Sequence, residues 1–163
     1  GDDLPRDPLV VMVICNHCPF VIHIREQLAA IGRDYEGRAS VVAVCANDAT
    51  THPADAPEKM AREASQCGYR FPYLHDAQQR FVADLGAGCT PDYYVFDRDR
   101  SLVYRGQLDA SRPGNNEPVT GADLRAAIDA AIAGEAPREQ QLPSIGCGIK
   151  WTPGREPAYV SGA

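Results

Sequence analysis

Cys15 and Cys18 enclose Asn16 and His17 and are followed at once by Pro19. Two thiols at this spacing on the first turn of a helix share one face, so their sulfurs can meet and exchange a disulfide. A helix start also presents unpaired N–H groups and the positive end of its dipole, both of which favour a thiolate. On this reading Cys15 is the exposed attacking thiolate. Cys18, one turn in and more shielded, is the resolving thiol. His17, when protonated, favours thiolate further, which stabilises the reduced pair and makes the disulfide a better oxidant. Pro19 falls in the first turn, where its missing N–H costs little.

Zinc is the competing chemistry for such a pair. It needs two more ligands, and the sequence has no second pair at this spacing. His17 lies inside the dithiol, and six steps along a helix carry His23 roughly 240° around to another face. His52 and His75 fall in loops. No metal site is therefore expected. A second signal is Cys89-Thr90-Pro91, just ahead of a β-rich run. A Thr-Pro bond entering a strand is a candidate cis bond that exposes backbone for contact. Of the other cysteines, Cys45 and Cys67 read as core. Cys89 and Cys147 are candidate auxiliary thiols, joined to each other or relaying to the dithiol.

The elements that must position these residues follow from patterning. Leu9 to Ile14 is continuously apolar, as in a central strand of a sheet covered on both faces. Phe20, Val21, Ile24, Leu28 and Ile31 recur at helical spacing, with Gly32 as the expected end. Ser40 to Ala46 reads as a second buried strand, and Asn47 to Pro57 as a loop. Asp55 is expected to cap a helix that has Pro57 in its first turn and Gly68 at its end. A short helix over Ala77 to Leu85, with Asp76 as cap, is followed by a hairpin of Tyr93 to Phe96 and Leu102 to Arg105. Thr120 opens a last helix, with Asp123 placed as in a capping box, and Gly134 closes it. These elements predict an α/β domain over residues 1–134, a central mixed sheet flanked by helices. Residues 135–163 carry Pro137, Pro143, Pro153 and Pro157, so a core helix is excluded there. Ile145, Ile149 and Trp151 favour a tail packed on the domain surface.

Composition narrows the function further. The chain has 163 residues, 16 basic and 22 acidic, for a net charge of −6. That balance disfavours a phosphate-binding surface and hence nucleic acid as a partner. The longest apolar run, Leu9 to Cys15, is far below the ~18 residues a membrane span needs. Six cysteines are too few and too scattered for a disulfide scaffold. The chain opens on Gly1 without a basic-then-apolar signal segment. A cytoplasmic location is the default expectation, with an N-terminal segment removed or left out.

Strand, Cys-x-x-Cys, helix, strand, helices, Thr-Pro and hairpin together resemble the thioredoxin fold. Three stretches narrow the likeness: Ile14-Cys15-Asn16-His17-Cys18-Pro19-Phe20-Val21, Gly88-Cys89-Thr90-Pro91-Asp92, and Pro143-Ser144-Ile145-Gly146-Cys147 with Lys150-Trp151. They resemble the peroxiredoxin-like thioredoxin proteins of the alkyl hydroperoxide reductase/thiol-specific antioxidant, or redoxin, type. The resemblance implies that Pro91 is a cis-proline facing the dithiol and that Thr90 offers backbone bonds to a substrate strand beside Cys15. It implies a thiol–disulfide oxidoreductase needing no organic cofactor, which works on a thiol or disulfide protein substrate with a thiol reductant. A potential above the roughly −270 mV of thioredoxin is expected. Two alternatives stand beside it, an antioxidant thiol-dependent peroxidase and a redox-silent binding or zinc module. The places of the peroxiredoxin proline and threonine hold Val11 and Cys15 when counted back from Cys18, and Pro8 and Met12 from Cys15.

Overall fold

The computed structural model describes residues 7–160; residues 1–6 and 161–163, the outer ends of the expected domain and tail, lie outside the described residues. Strand β1 (Leu9–Val13) is followed by helices α1 (Pro19–Ile22) and α2 (Arg25–Asp34), then β2 (Ser40–Cys45) and a 3₁₀ turn at Pro53–Asp55. Helix α3 (Pro57–Cys67), β3 (Tyr73–His75) and α4 (Arg80–Leu85) come next. The chain continues through β4 (Cys89–Thr90), β5 (Asp92–Phe96), β6 (Leu102–Gly106), α5 (Ala122–Ala133) and β7 (Cys147–Gly148). Five strands form one sheet in the order β3-β2-β1-β5-β6. β1 pairs parallel with β2 and antiparallel with β5, so the expected mixed α/β sheet is present. β4 and β7 form a separate antiparallel pair.

Successive residues of a strand point to opposite faces, and β1 divides the core accordingly. Val10, Met12 and Ile14 join Leu28 and Ile31 of α2, Met60 of α3, and Leu124 and Ile128 of α5. Val11 and Val13 join Val82 of α4, Tyr94 and Ile149, with Trp151 packed alongside. Every β1 side chain from Val10 on is buried, which is why the segment reads as an unbroken apolar run. On the second face part of the cover is the C-terminal segment. Burying Ile149 contributes about 1.5–3 kcal/mol to holding it there.

Several local expectations are corrected by tertiary packing. The single helix through Ile31 is two, parted at His23 and Ile24, and it runs past Gly32 to Asp34. A Cβ on Gly32 would lie 2.8 Å from the Phe71 ring. That glycine makes room for a core aromatic at a cost of about 1 kcal/mol in helix propensity. Asp55 does not cap α3; Ala56 holds that place, and Asp55 turns inward. The helix expected from Ala77 begins only at Arg80, because Gln79 sits in the left-handed region with φ 62°. Asp76 still accepts the Val82 N–H at 3.1 Å. Gly121 replaces Thr120 as the cap of α5, and the Asp123 carboxylate accepts from Gln107 instead of closing a capping box. Cys67 is half-buried, and its thiol donates to Glu63 rather than sitting in the core. In the tail, Ile149 is buried as expected and Trp151 is half-buried, whereas Ile145 faces solvent. Strands β3, β4 and β7 were not foreseen, since two or three residues carry no readable period.

Candidate dithiol site

Cys15 follows the end of β1, where Ile14 N–H still bonds to the Val44 carbonyl. Cys18 is the N-cap of α1, and its carbonyl accepts from Val21 and Ile22. The dithiol therefore precedes the helix instead of lying on its first turn. α1 has only four residues, so its dipole is small, and any thiolate must be held by direct donors. The exposed attacking thiolate expected at Cys15 is also corrected, because Cys15 is 2% exposed and Cys18 0%. Both sulfurs are closed off by the loop before β5 and by β7.

That closure brings Thr90 and Pro91 to the pair. The Thr90–Pro91 bond is cis. Cys15 Sγ lies 3.5 Å from Thr90 Oγ1, and the Cys18 thiol faces the Thr90 carbonyl oxygen at 3.5 Å. Thr90 does not offer its strand edge to a visiting chain, however, because Cys147 stands directly opposite it in the β4–β7 register. Gly146 permits this approach, since a Cβ there would lie 1.9 Å from the Thr90 carbonyl oxygen.

Cys89 and Cys147 are separated by the same register. Adjacent residues of a strand face opposite ways, so Cys147 shares the face of Thr90 and the dithiol while Cys89 points away. The Cys89 thiol lies 3.9 Å from the Pro91 carbonyl. Burial pushes it up to about 11.

The residues between the cysteines are tied to a turn distant in sequence. Asn16 N–H donates to Asp55 Oδ1 at 2.7 Å, and its side-chain amide donates to the Ala54 carbonyl. Tyr73 donates to Asn16 Oδ1 at 2.9 Å. Asp55 is 0% exposed and also accepts from Asn47 Nδ2 at 2.9 Å. His17 Nδ1 sits 2.5 Å from Asp55 Oδ2. His17 thus faces a carboxylate while a ring nitrogen stays within 4.8 Å of Cys15 Sγ, and its ring stacks on His52 at 5.7 Å. Sequence reasoning missed Asp55, Asn47 and Tyr73 as parts of the site. No local signal marks them.

Ligand atoms of Cys15, His17 and Asp55 lie within 4.8 Å of one another, a third donor that reading the spacing did not supply. Asp55 Oδ1 already accepts from Asn16, while Oδ2 serves Asn47 and His17. The carboxylate is committed to holding the loop, and the arrangement does not favour a metal reading.

Charge within the sulfur cluster concentrates at Cys18. The Cys15 thiol donates to it, outweighing burial, and Cys147 adds its side chain and backbone N–H. Cys18 is lowered from 9.0 to about 4. Cys15 is pushed far above the ordinary thiol range, first because it is the donor to Cys18, then by burial, with Asp55 adding repulsion. In sign, a folded-state pKa below the unfolded 9.0 gives stability that is full above 9.0 and lost as pH falls through about 4. The raised Cys15 works oppositely, removing stability above the unfolded value of 9.0. Ultraviolet absorbance of the reduced protein should therefore show one thiolate at neutrality that disappears toward pH 4, and Cys18→Ser should lack it. A reduced wild-type protein with no thiolate at neutrality would contradict this charge distribution.

The Redoxin family model matches residues 5–124. The structure is similar to that of a hypothetical protein from Sinorhizobium meliloti, at 50% identity and TM-score 0.90, covering 92% of this chain and 82% of the other. It is also similar to an uncharacterized conserved protein from Geobacillus kaustophilus, at 51% identity and TM-score 0.88, covering 93% and 82%. A secreted disulfide oxidoreductase of Mycobacterium tuberculosis shares the fold at 14% identity and TM-score 0.57, covering 76% and 81%. No curated protein matches the chain. The thioredoxin-like fold expected from the sequence is thus present, as it is in a thioredoxin-like protein at 19% identity and TM-score 0.63 over 80% of each chain.

Proposed function

The chain belongs to the Redoxin family, and from that premise we propose that it is a thiol–disulfide oxidoreductase whose working pair is Cys15 and Cys18. The observation that carries this reading is that the sulfurs of Cys15 and Cys18 both lie 3.5 Å from the same residue, Thr90. Two reduced sulfurs so placed can lose two electrons and two protons to a partner disulfide, forming one S–S bond and releasing a dithiol. Run in reverse, the Cys15–Cys18 disulfide takes two electrons from a partner dithiol.

The direct donors on Cys18 stabilise its thiolate and hence the reduced state, which favours the oxidising direction. Pro91 and Thr90 shape the wall over the pair, and Asp55 with His17 holds its loop. The reaction needs only thiol and disulfide partners, a protein substrate and a second thiol couple.

Equilibration of the pair against a glutathione redox buffer tests the reading. The expected result is reversible formation of a Cys15–Cys18 disulfide at a potential above roughly −270 mV. Failure to form that bond, or a potential at or below that figure, rejects it. If reduced protein instead consumes hydrogen peroxide within one rapid turnover while the pair exchanges poorly with disulfides, the activity is that of a thiol peroxidase.

A further inference from the structure

We propose that Cys147 is a third redox thiol of this site: it takes over the disulfide from Cys15 at the Cys18 sulfur and presents it to a thiol partner on the C-terminal strand. The proposal rests on the dithiol reading above. Its geometric basis is the β4–β7 pair, which seats Cys147 opposite Thr90, the residue in contact with both dithiol sulfurs. Cys147 packs against the core cluster that contains Cys15 and Cys18. Its thiol and backbone N–H both reach Cys18.

The strand that carries Cys147 is held from both sides. Asn47 Oδ1 accepts the Lys150 N–H at 2.9 Å, while the same amide donates to Asp55. Asp48 N–H donates to the Lys150 carbonyl, and Gln79 bonds that carbonyl and the Thr152 N–H. Ile149 is buried and donates its N–H to Gly88. Seven glycines and prolines lie in the tail from Pro137 to Pro157, yet this stretch is anchored by named bonds at each step. A segment so fixed over a closed dithiol keeps Cys147 in reach of Cys18.

Accessibility supplies the reason for a third sulfur. Cys15 and Cys18 are sealed, whereas Cys147 is half-buried. In the oxidised protein the Cys147 thiolate attacks Cys18 Sγ. The Cys15–Cys18 bond breaks, a Cys18–Cys147 bond forms, and Cys15 leaves as thiolate and takes the proton Cys147 gave up. No electron is gained or lost in this step. A partner thiolate then attacks the Cys147 sulfur and expels Cys18, whose low thiol pKa makes it the better leaving group. A second partner thiol releases Cys147. In sum, two partner thiols become a disulfide and the protein gains two electrons and two protons.

The test uses the full chain. Reduced Cys15→Ser protein is treated with stoichiometric glutathione disulfide, alkylated, and mapped by non-reducing peptide mass spectrometry. The more accessible Cys147 thiol displaces one glutathione, and attack by Cys18 on the Cys147 sulfur displaces the second. A Cys18–Cys147 disulfide is expected as the main product. Glutathione retained on either Cys18 or Cys147, with the other thiol alkylated, would overturn the proposal. In parallel, oxidised Cys147→Ser should be reduced by dithiothreitol at least about tenfold more slowly than wild type, while Cys89→Ser, whose thiol faces away, keeps the wild-type rate. Equal rates for Cys147→Ser and wild type would also overturn it. Both proteins should still form the Cys15–Cys18 bond in glutathione buffer, and absence of that bond from both would instead defeat the dithiol reading.

Discussion

Cys18→Ser should lower dithiothreitol-driven reduction of insulin by more than about 10³-fold, the scale on which losing a reacting group lowers turnover. Cys15→Ser should lower it less. The order follows from where the donors converge. Cys15 gives its proton to a hydrogen bond with Cys18, Cys147 adds two donors to the same sulfur, and Asp55 opposes charge at Cys15. Cys18 is also common to both disulfides the cluster can form, so its loss removes both. Cys15→Ser leaves Cys18 and Cys147 to exchange, and Cys15→Ser with Cys147→Ser should trap a mixed disulfide on Cys18. A larger defect in Cys15→Ser than in Cys18→Ser would restore the roles expected from spacing alone.

Asp55→Ala should cost about 3 kcal/mol or more of folding stability, since each buried donor left unsatisfied costs about 1–3 kcal/mol. The carboxylate is 0% exposed, and its removal strands the Asn16 N–H, the Asn47 amide and the His17 ring together. Asp55→Asn, which keeps shape and one acceptor, should cost about 1–3 kcal/mol. Denaturant midpoints measured at neutral pH give both values. A loss under about 1 kcal/mol in Asp55→Ala would show that water replaces the carboxylate and that the loop is not held as described.

These two residues mark the limits of what could be read in advance. Cys18 was legible as half of a dithiol because Cys-x-x-Cys is a local pattern, and Thr90-Pro91 was legible for the same reason. That both sulfurs are sealed was not legible. Inference from helix position assumed a long helix with Cys15 on its first turn, whereas α1 is four residues capped by Cys18. By sequence alone Asp55 reads as a cap, because a carboxylate beside Pro57 has that local meaning. Its partner Asn16 is 39 residues away, and single-sequence periodicity holds no information about such a contact.

The order of strands and helices was written in the chain itself, since apolar runs, turn formers and helix stops act over a few neighbours. So was the meeting of two thiols at one place, because cysteines at that spacing need only one local bend to approach. Tertiary structure alone decided that Gly146 lets the tail press onto Thr90, that Cys147 rather than Cys89 turns toward the pair, and that a buried carboxylate lies behind it. Each of these depends on register and burial between segments far apart in sequence, where one residue of slip would turn the side chain to the other face.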